Sequence, residues 1–175
     1  MSKPLTLMFV CTANICRSTF AHALAENVAG PDRLRVISAG THAKPGLAMD
    51  PLMVAELSDR GVRSPQITSD RTVAANLREA DLVLTMTVEH RTYLLEDFPQ
   101  FVGKLYTLGQ FAKAMEQVPE SVTGAELLKA VKKHRGRASK ADDIADPYGK
   151  GYEPTHAAAE QIDELVRGVV ARLAA

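Results

Sequence analysis

The sequence predicts an α/β fold built on a parallel, helix-covered sheet of four strands, and three observations carry that prediction. Short apolar runs alternate with stretches of helical period, the pattern of parallel strands joined by right-handed helical crossovers. The last stretch has the cleanest period: Ile162, Leu165, Val166, Val169, Val170 and Leu173 fall on one apolar stripe that can pack on a sheet. No internal repeat or linker divides the 175 residues, so 1–175 reads as one domain of ordinary size.

The elements follow in order. Leu5 to Val10 (Leu-Thr-Leu-Met-Phe-Val) is a continuous apolar run suited to a buried parallel strand. From Ser18 to Ala29, Phe20, Leu24 and Val28 are spaced as on a helix. Leu34 to Ser38 is a second strand, with Ala39-Gly40-Thr41 beginning a loop. Met49 to Arg60 is helical, with Leu52, Met53 and Leu57 on one face and Gly61 as its stop. Asp70 to Ala80 is a short helix, and Leu82 to Met86 a third strand. A helix then runs through about Glu96, and Lys104 to Leu108 is the fourth strand. Within 111–140, Phe111, Met115 and Val118 mark one helix and Leu127, Leu128 and Val131 another. The basic run Lys129, Lys132, Lys133, Arg135, Arg137 and Lys140 reads as a solvated helix face leading into a loop, or alternatively as a docking surface for an acidic partner.

Composition narrows the function classes. Hydrophobic residues make up 46% and charged residues 24%, which suits a globular chain. Lys plus Arg number 21, as do Asp plus Glu, so no global field recruits nucleic acid or an anionic membrane. A substrate must be recognised locally. No apolar run approaches a spanning helix, and the N-terminus lacks the apolar region of a secretory signal, so a cytoplasmic protein without membrane insertion is expected. Cysteines there are kept reduced, which favours chemistry over a structural staple.

Chemistry concentrates in residues 10–19, Val-Cys11-Thr12-Ala13-Asn14-Ile15-Cys16-Arg17-Ser18-Thr. Ligands of parallel sheets bind at the carboxyl ends of strands, and this loop directly follows the first. The residues between Cys11 and Arg17 can curl into a cup of backbone N–H groups that holds an oxyanion, with a thiolate at its base. Arg17 offers a planar fork to two phosphate oxygens. Ser18 either adds a hydroxyl donor or caps the following helix. In-line attack of Cys11 on phosphorus would give a thiophosphate that water hydrolyses. One carboxyl can protonate the leaving oxygen and then activate the water, and Asp146 in Asp146-Pro147-Tyr148-Gly149 is the candidate. Pro147 stiffens the chain, and Tyr148 could wall a ring-bearing substrate. The spacing alone leaves open two core cysteines, a Cys11–Cys16 disulfide or half a metal site. The five histidines are scattered, so a Cys/His hydrolase has no local support, and each reads as a surface or packing residue.

With these residues in view, the chain resembles the low-molecular-weight protein tyrosine phosphatases. Their V-C-x-G-N-x-C-R-S-P and D-P-aromatic motifs are matched by Val10–Thr19 and by Asp146-Pro147-Tyr148, and Ser38–Thr41 and Ala80–Met86 also look like family segments. The resemblance implies a four-stranded parallel sheet flanked by helices on both faces, with 111–140 as a helical insertion. It implies Cys11 as nucleophile, Arg17 as phosphate ligand and Asp146 as acid and base. Asn14 would shape the loop, Ser18 would stabilise the thiolate and Ser38 would support from behind. Cys16 would be the partner of a protective reversible disulfide. Thr12, Ala13, Asn14, Ile15, Cys16, Ser18 and Tyr148 would then surround the substrate. No metal or organic cofactor is implied, and the protein would act as a monomer or weak dimer on phosphotyrosine proteins or small aryl phosphates.

The chain also departs from that pattern. Ala13 replaces a glycine, which would cost about 1–2 kcal/mol if the position required a left-handed backbone. Thr19 replaces proline, loop 42–46 lacks the large aromatic frequent there and its Lys44 could turn the preference toward an acidic phosphopeptide, and Thr68 and Ser69 stand where many relatives have histidine. The rival activities are a phosphoarginine phosphatase, a thiol-dependent arsenate reductase and a non-catalytic phosphate-binding module. The resemblance places threonine at position 15 in phosphoarginine phosphatases, so Ile15 argues for the flat aryl ring. An arsenate reductase that relays a disulfide needs cysteines beyond Cys11 and Cys16, whereas a glutaredoxin-assisted one could run on fewer thiols.

Overall fold

The computed structural model describes residues 3–175. Four parallel strands run β1 Leu5–Cys11, β2 Leu34–Gly40, β3 Leu82–Thr85 and β4 Leu105–Thr107, in the order β2-β1-β3-β4. Helices α1 Arg17–Ala29, α2 Pro51–Asp59, α3 Ala74–Glu79, α4 Val88–Asp97, α5 Leu108–Glu116, α6 Gly124–Lys132 and α7 Tyr152–Leu173 connect and cover them. The order places β1 between β2 and β3, so connections leave its carboxyl end toward opposite sides and a crevice opens there.

Strand alternation sorts the core into two layers. Leu7, Phe9 and Cys11 of β1 join Phe20 and Leu24 of α1, Phe111 of α5, and the Ile162, Val166 and Val170 stripe of α7. Met8 and Val10 point the other way, onto Leu77 of α3 and Leu94 of α4. The expected helix-covered parallel sheet is therefore present, with both faces occupied. No helix among the described residues is long and apolar enough to cross a membrane.

Several boundaries differ from the sequence expectation. Strand β2 continues through Gly40, because its pairing with β1 runs on to Val10 beside Ala39 and Cys11 beside Gly40. Residues 70–72 bridge its end from the other side: Gly40 N–H donates to the Asp70 carbonyl and Thr72 N–H to the Gly40 carbonyl. That pairing removes Asp70–Thr72 from the helix expected over 70–80. Helix α2 starts at Pro51, since the Asp50 side chain accepts from Leu52 N–H and caps it. The 111–140 segment is not an appendage. Phe111, Leu127 and Val131 are fully buried in the principal core, so α5 and α6 complete the sheet's covering at β4.

Candidate active site

The loop joining β1 to α1 folds back against the end of β2. Thr41 N–H donates to the Cys11 carbonyl, His42 N–H to the Thr12 carbonyl and Asp50 N–H to the Ile15 carbonyl. Three of the loop's carbonyls are thus held from outside it. A Cβ on Gly40 would lie 2.3 Å from the Thr12 carbonyl oxygen, so only glycine permits this approach.

The left-handed turn the loop needs falls on Asn14 (φ 56°), not on Ala13. Asparagine tolerates that conformation when its side chain is bonded locally, so the Ala13 departure carries no left-handed strain here. The Asn14 Oδ1 accepts from Asp70 N–H at 2.9 Å, and Nδ2 donates to Ser18 Oγ at 2.7 Å. Because Ser18 accepts from Asn14, its own hydroxyl proton is free for Cys11 Sγ, 2.9 Å away. Ser18 therefore serves the sulfur and does not cap α1, whose N-cap Cys16 makes no side-chain capping bond. Thr19, in the place of a proline, donates its hydroxyl to the Cys16 carbonyl at 3.0 Å.

Arg17 is 4% exposed, and its Nη1 donates to the Ile144 carbonyl at 2.8 Å. Its Nε has no partner among the described residues, and Nη2 lies 3.7 Å from Asp146 Oδ1. The strap holding Asp146 is tied at its start: Ile144 N–H donates to the Met86 carbonyl, and Asp143 Oδ1 accepts from Val88 N–H. Asp146 itself is half exposed and accepts from Tyr148 N–H. A cavity of about 270 Å³ lies between loop and strap. Cys11, Thr12, Ala13, Ile15, Cys16 and Arg17 border it on one side, and Asp146 and Tyr148 on the other. Asn14 and Ser18, expected around the substrate, are instead fully buried behind the loop, where they position Cys11. Ser38 does not reach the loop; its hydroxyl meets His22 Nδ1 at 2.9 Å. Pro147 is buried beside the strap.

The two cysteines are both free thiols in different settings. Burial, with Asp50, Cys11 and Asp146 nearby, pushes the Cys16 thiol up to about 12 against a smaller opposing effect of Arg17. Cys16 therefore remains protonated near neutrality. His90 is not expected at the site from the sequence, yet its Nε2 is 2.8 Å from Thr12 Oγ1. No group of three or more His, Cys, Asp or Glu side chains suited to a metal ion occurs among the described residues.

The sequence matches the model of the family described as low molecular weight phosphotyrosine protein phosphatase over residues 6–134. Among curated proteins it is 30% identical over 170 residues to a protein-arginine-phosphatase of Geobacillus stearothermophilus, covering 97% of each chain. It is 29% identical over 171 residues to a probable low molecular weight protein-tyrosine-phosphatase EpsP of Ralstonia nicotianae, again covering 97% of each. The solved YwlE arginine phosphatase from Geobacillus stearothermophilus superposes with a TM-score of 0.78 at 29% identity, over 97% of this chain and 93% of that one. Both relatives extend through α5 and α6, which agrees with the place of those helices in the core. A family match spanning most of the chain, on a fold whose first loop and facing strap bring Cys11, Arg17 and Asp146 to one cavity, makes this protein a phosphatase of the low molecular weight phosphotyrosine protein phosphatase family.

Proposed function

We propose that the chain hydrolyses phosphotyrosine in proteins, and small aryl phosphates, through a phosphocysteine intermediate at Cys11. The observation that carries the mechanism is the Asn14–Ser18–Cys11 chain of hydrogen bonds, which turns a hydroxyl donor onto one thiol at the cavity. The Cys11 sulfur attacks phosphorus, the P–S bond forms, and the P–O bond to the leaving group breaks. Asp146 gives its proton to the departing oxygen. It then takes a proton from water, which attacks phosphorus, releases inorganic phosphate and restores the thiolate. Arg17 is already held by Ile144 through Nη1, which leaves its Nε and Nη2 edge for two phosphoryl oxygens.

Ile15 supports the tyrosine reading. It borders the cavity with an apolar side chain, and the exposed Tyr148 ring stands across from it. A flat aryl ring fits between them, whereas a guanidinium would desolvate against Ile15. The names of the Geobacillus relative and of its solved counterpart favour a second reading, hydrolysis of phosphoarginine. Steady-state rates on p-nitrophenyl phosphate, phosphotyrosine peptides and phosphoarginine peptides separate the two. Cys11→Ser and Asp146→Asn serve as controls, and Ile15→Thr as the specificity probe. The tyrosine reading expects phosphotyrosine to be preferred and Ile15→Thr to narrow that preference. A preference for phosphoarginine in the wild type reverses it, and turnover surviving Cys11→Ser overturns the mechanism.

A further inference from the structure

His90 is a buried imidazole that the chemistry above leaves without a task. It lies in the first turn of α4, where its N–H donates to the Thr87 side chain that caps the helix. The helix start is fixed again by Asp143 accepting from Val88 N–H, so the ring sits on a braced element. Its Nε2 is 2.8 Å from Thr12 Oγ1, while Nδ1 is buried without a partner among the described residues.

A neutral imidazole has one N–H and one lone pair. Burial, reinforced by Arg17 and His42 and opposed by Asp146, holds His90 down to about 4, so the ring is neutral wherever the enzyme would work. An orphaned buried N–H is rarer than an under-used acceptor, which puts the proton on Nε2 and leaves the bare lone pair at Nδ1. Nε2–H then donates to Thr12 Oγ1. The threonine's own hydroxyl proton is released from His90 and available to the cavity that Thr12 borders beside Cys11.

We propose that His90 is a positioning residue that turns the Thr12 hydroxyl into an additional donor to a phosphoryl oxygen. The inference rests on the loop being the phosphate site. It adds a side-chain donor to a cup otherwise made of backbone amides and Arg17, and it lies next to the nucleophile where substrate oxygens crowd.

Three measurements test it. First, kcat/KM and inhibition by inorganic phosphate are compared for wild type, Thr12→Val and Thr12→Ser. One hydrogen bond to an anion corresponds to roughly tenfold, so Thr12→Val should weaken both by about that factor while Thr12→Ser recovers most of the loss. Second, His90→Gln should cost less than Thr12→Val and add nothing in the Thr12→Val background, because both act on one hydroxyl. A merely structural histidine would instead cost the same in either background. Third, ¹⁵N spectra of the His90 ring should show the proton on Nε2. A proton on Nδ1, or Thr12→Val with wild-type phosphate inhibition, overturns the inference. Phosphate affinity measured in Cys11→Ser protein needs no turnover, so a failure of the Thr12 donor is distinguishable from a failure of the proposed activity.

Discussion

Asn14 offers the sharpest test of how the loop is held, because one side chain supplies both a backbone conformation and two hydrogen bonds. Its left-handed φ of 56° costs an ordinary residue about 1–2 kcal/mol. Its amide satisfies Asp70 N–H and orients Ser18. Replacing it by alanine adds the strain and strips both bonds, of which the unpaired Asp70 N–H alone costs about 1–3 kcal/mol. Replacing it by glycine strips the same bonds but removes the strain, against about 0.4–1 kcal/mol of extra freedom lost from the unfolded chain. Both variants should therefore be destabilised, with Asn14→Gly ahead of Asn14→Ala by about 1 kcal/mol.

At this chain length 1 kcal/mol moves Tm by about 2–4 °C, a gap that thermal unfolding resolves. Activity should not follow the same order. Both variants leave the Ser18 hydroxyl without the donor that turns it toward Cys11, so kcat on p-nitrophenyl phosphate should fall roughly tenfold in each, the worth of one charge-assisted bond. Equal melting temperatures for the two variants would show that the left-handed turn is not what asparagine supplies. Wild-type kcat in either would refute the Asn14–Ser18–Cys11 chain as a functional element.

The other predictions follow from contacts already described. Gly40→Ala brings a Cβ to 2.3 Å from the Thr12 carbonyl and 3.0 Å from Asn14 N, so the loop must shift. Overpacking costs about 1–3 kcal/mol, and both Tm and kcat/KM should drop. His90, held down to about 4 in the folded chain against 6.5 ordinarily, takes up a proton on unfolding between those values. Its contribution to stability is thus present above pH 6.5 and lost as pH falls toward 4, about 3 kcal/mol in all. His90→Gln should flatten that part of the urea-unfolding profile, and an unchanged profile would contradict the burial argument. Since Cys16 is a protonated thiol, iodoacetamide near pH 7 should label Cys11 alone, read by peptide mass spectrometry. Mild peroxide followed by a thiol reductant should restore wild type more completely than Cys16→Ser; equal recovery would remove Cys16 as a guard.

What can be read from the sequence is local. The β1 run, the α7 stripe and the Cys11–Ser18 loop are patterns within a short window, and they place the sheet, its covering helix and the candidate nucleophile. The role of Asn14 is only partly legible, because the left-handed turn could equally fall on position 13 and its partner, Asp70, lies far along the chain. The end of β2 is hidden for the same reason: Ala39 and Gly40 extend it by pairing with Val10 and Cys11, partners far back in the chain, and the small pair carries no strand pattern of its own. His90 reads as a packing residue because its partner is distant in sequence. Its position just past the carboxyl end of the third strand, where ligands of such sheets gather, is the available sign.

Arg17 shows why the loop and the strap work as one unit. A guanidinium with all its N–H groups turned to phosphate would leave the Asp146 strap to be placed by Met86 and Val88 alone, both ahead of the carboxylate, and a strap near nothing cationic could drift from the leaving oxygen. Instead Nη1 is committed to the Ile144 carbonyl, two residues before Asp146, while Nη2 stays 3.7 Å from the carboxylate itself. Such a separation is a loose ion pair with a half-exposed partner, weak in free energy but directional. Phosphate arriving at the Nε and Nη2 edge would compete for the same charge and release Asp146 toward the bond it is proposed to protonate. The buried, single-purpose contact to Ile144 survives that exchange, so the acid is set free without being lost. Lysine, a point charge with no rigid fork, could not make the two commitments at once.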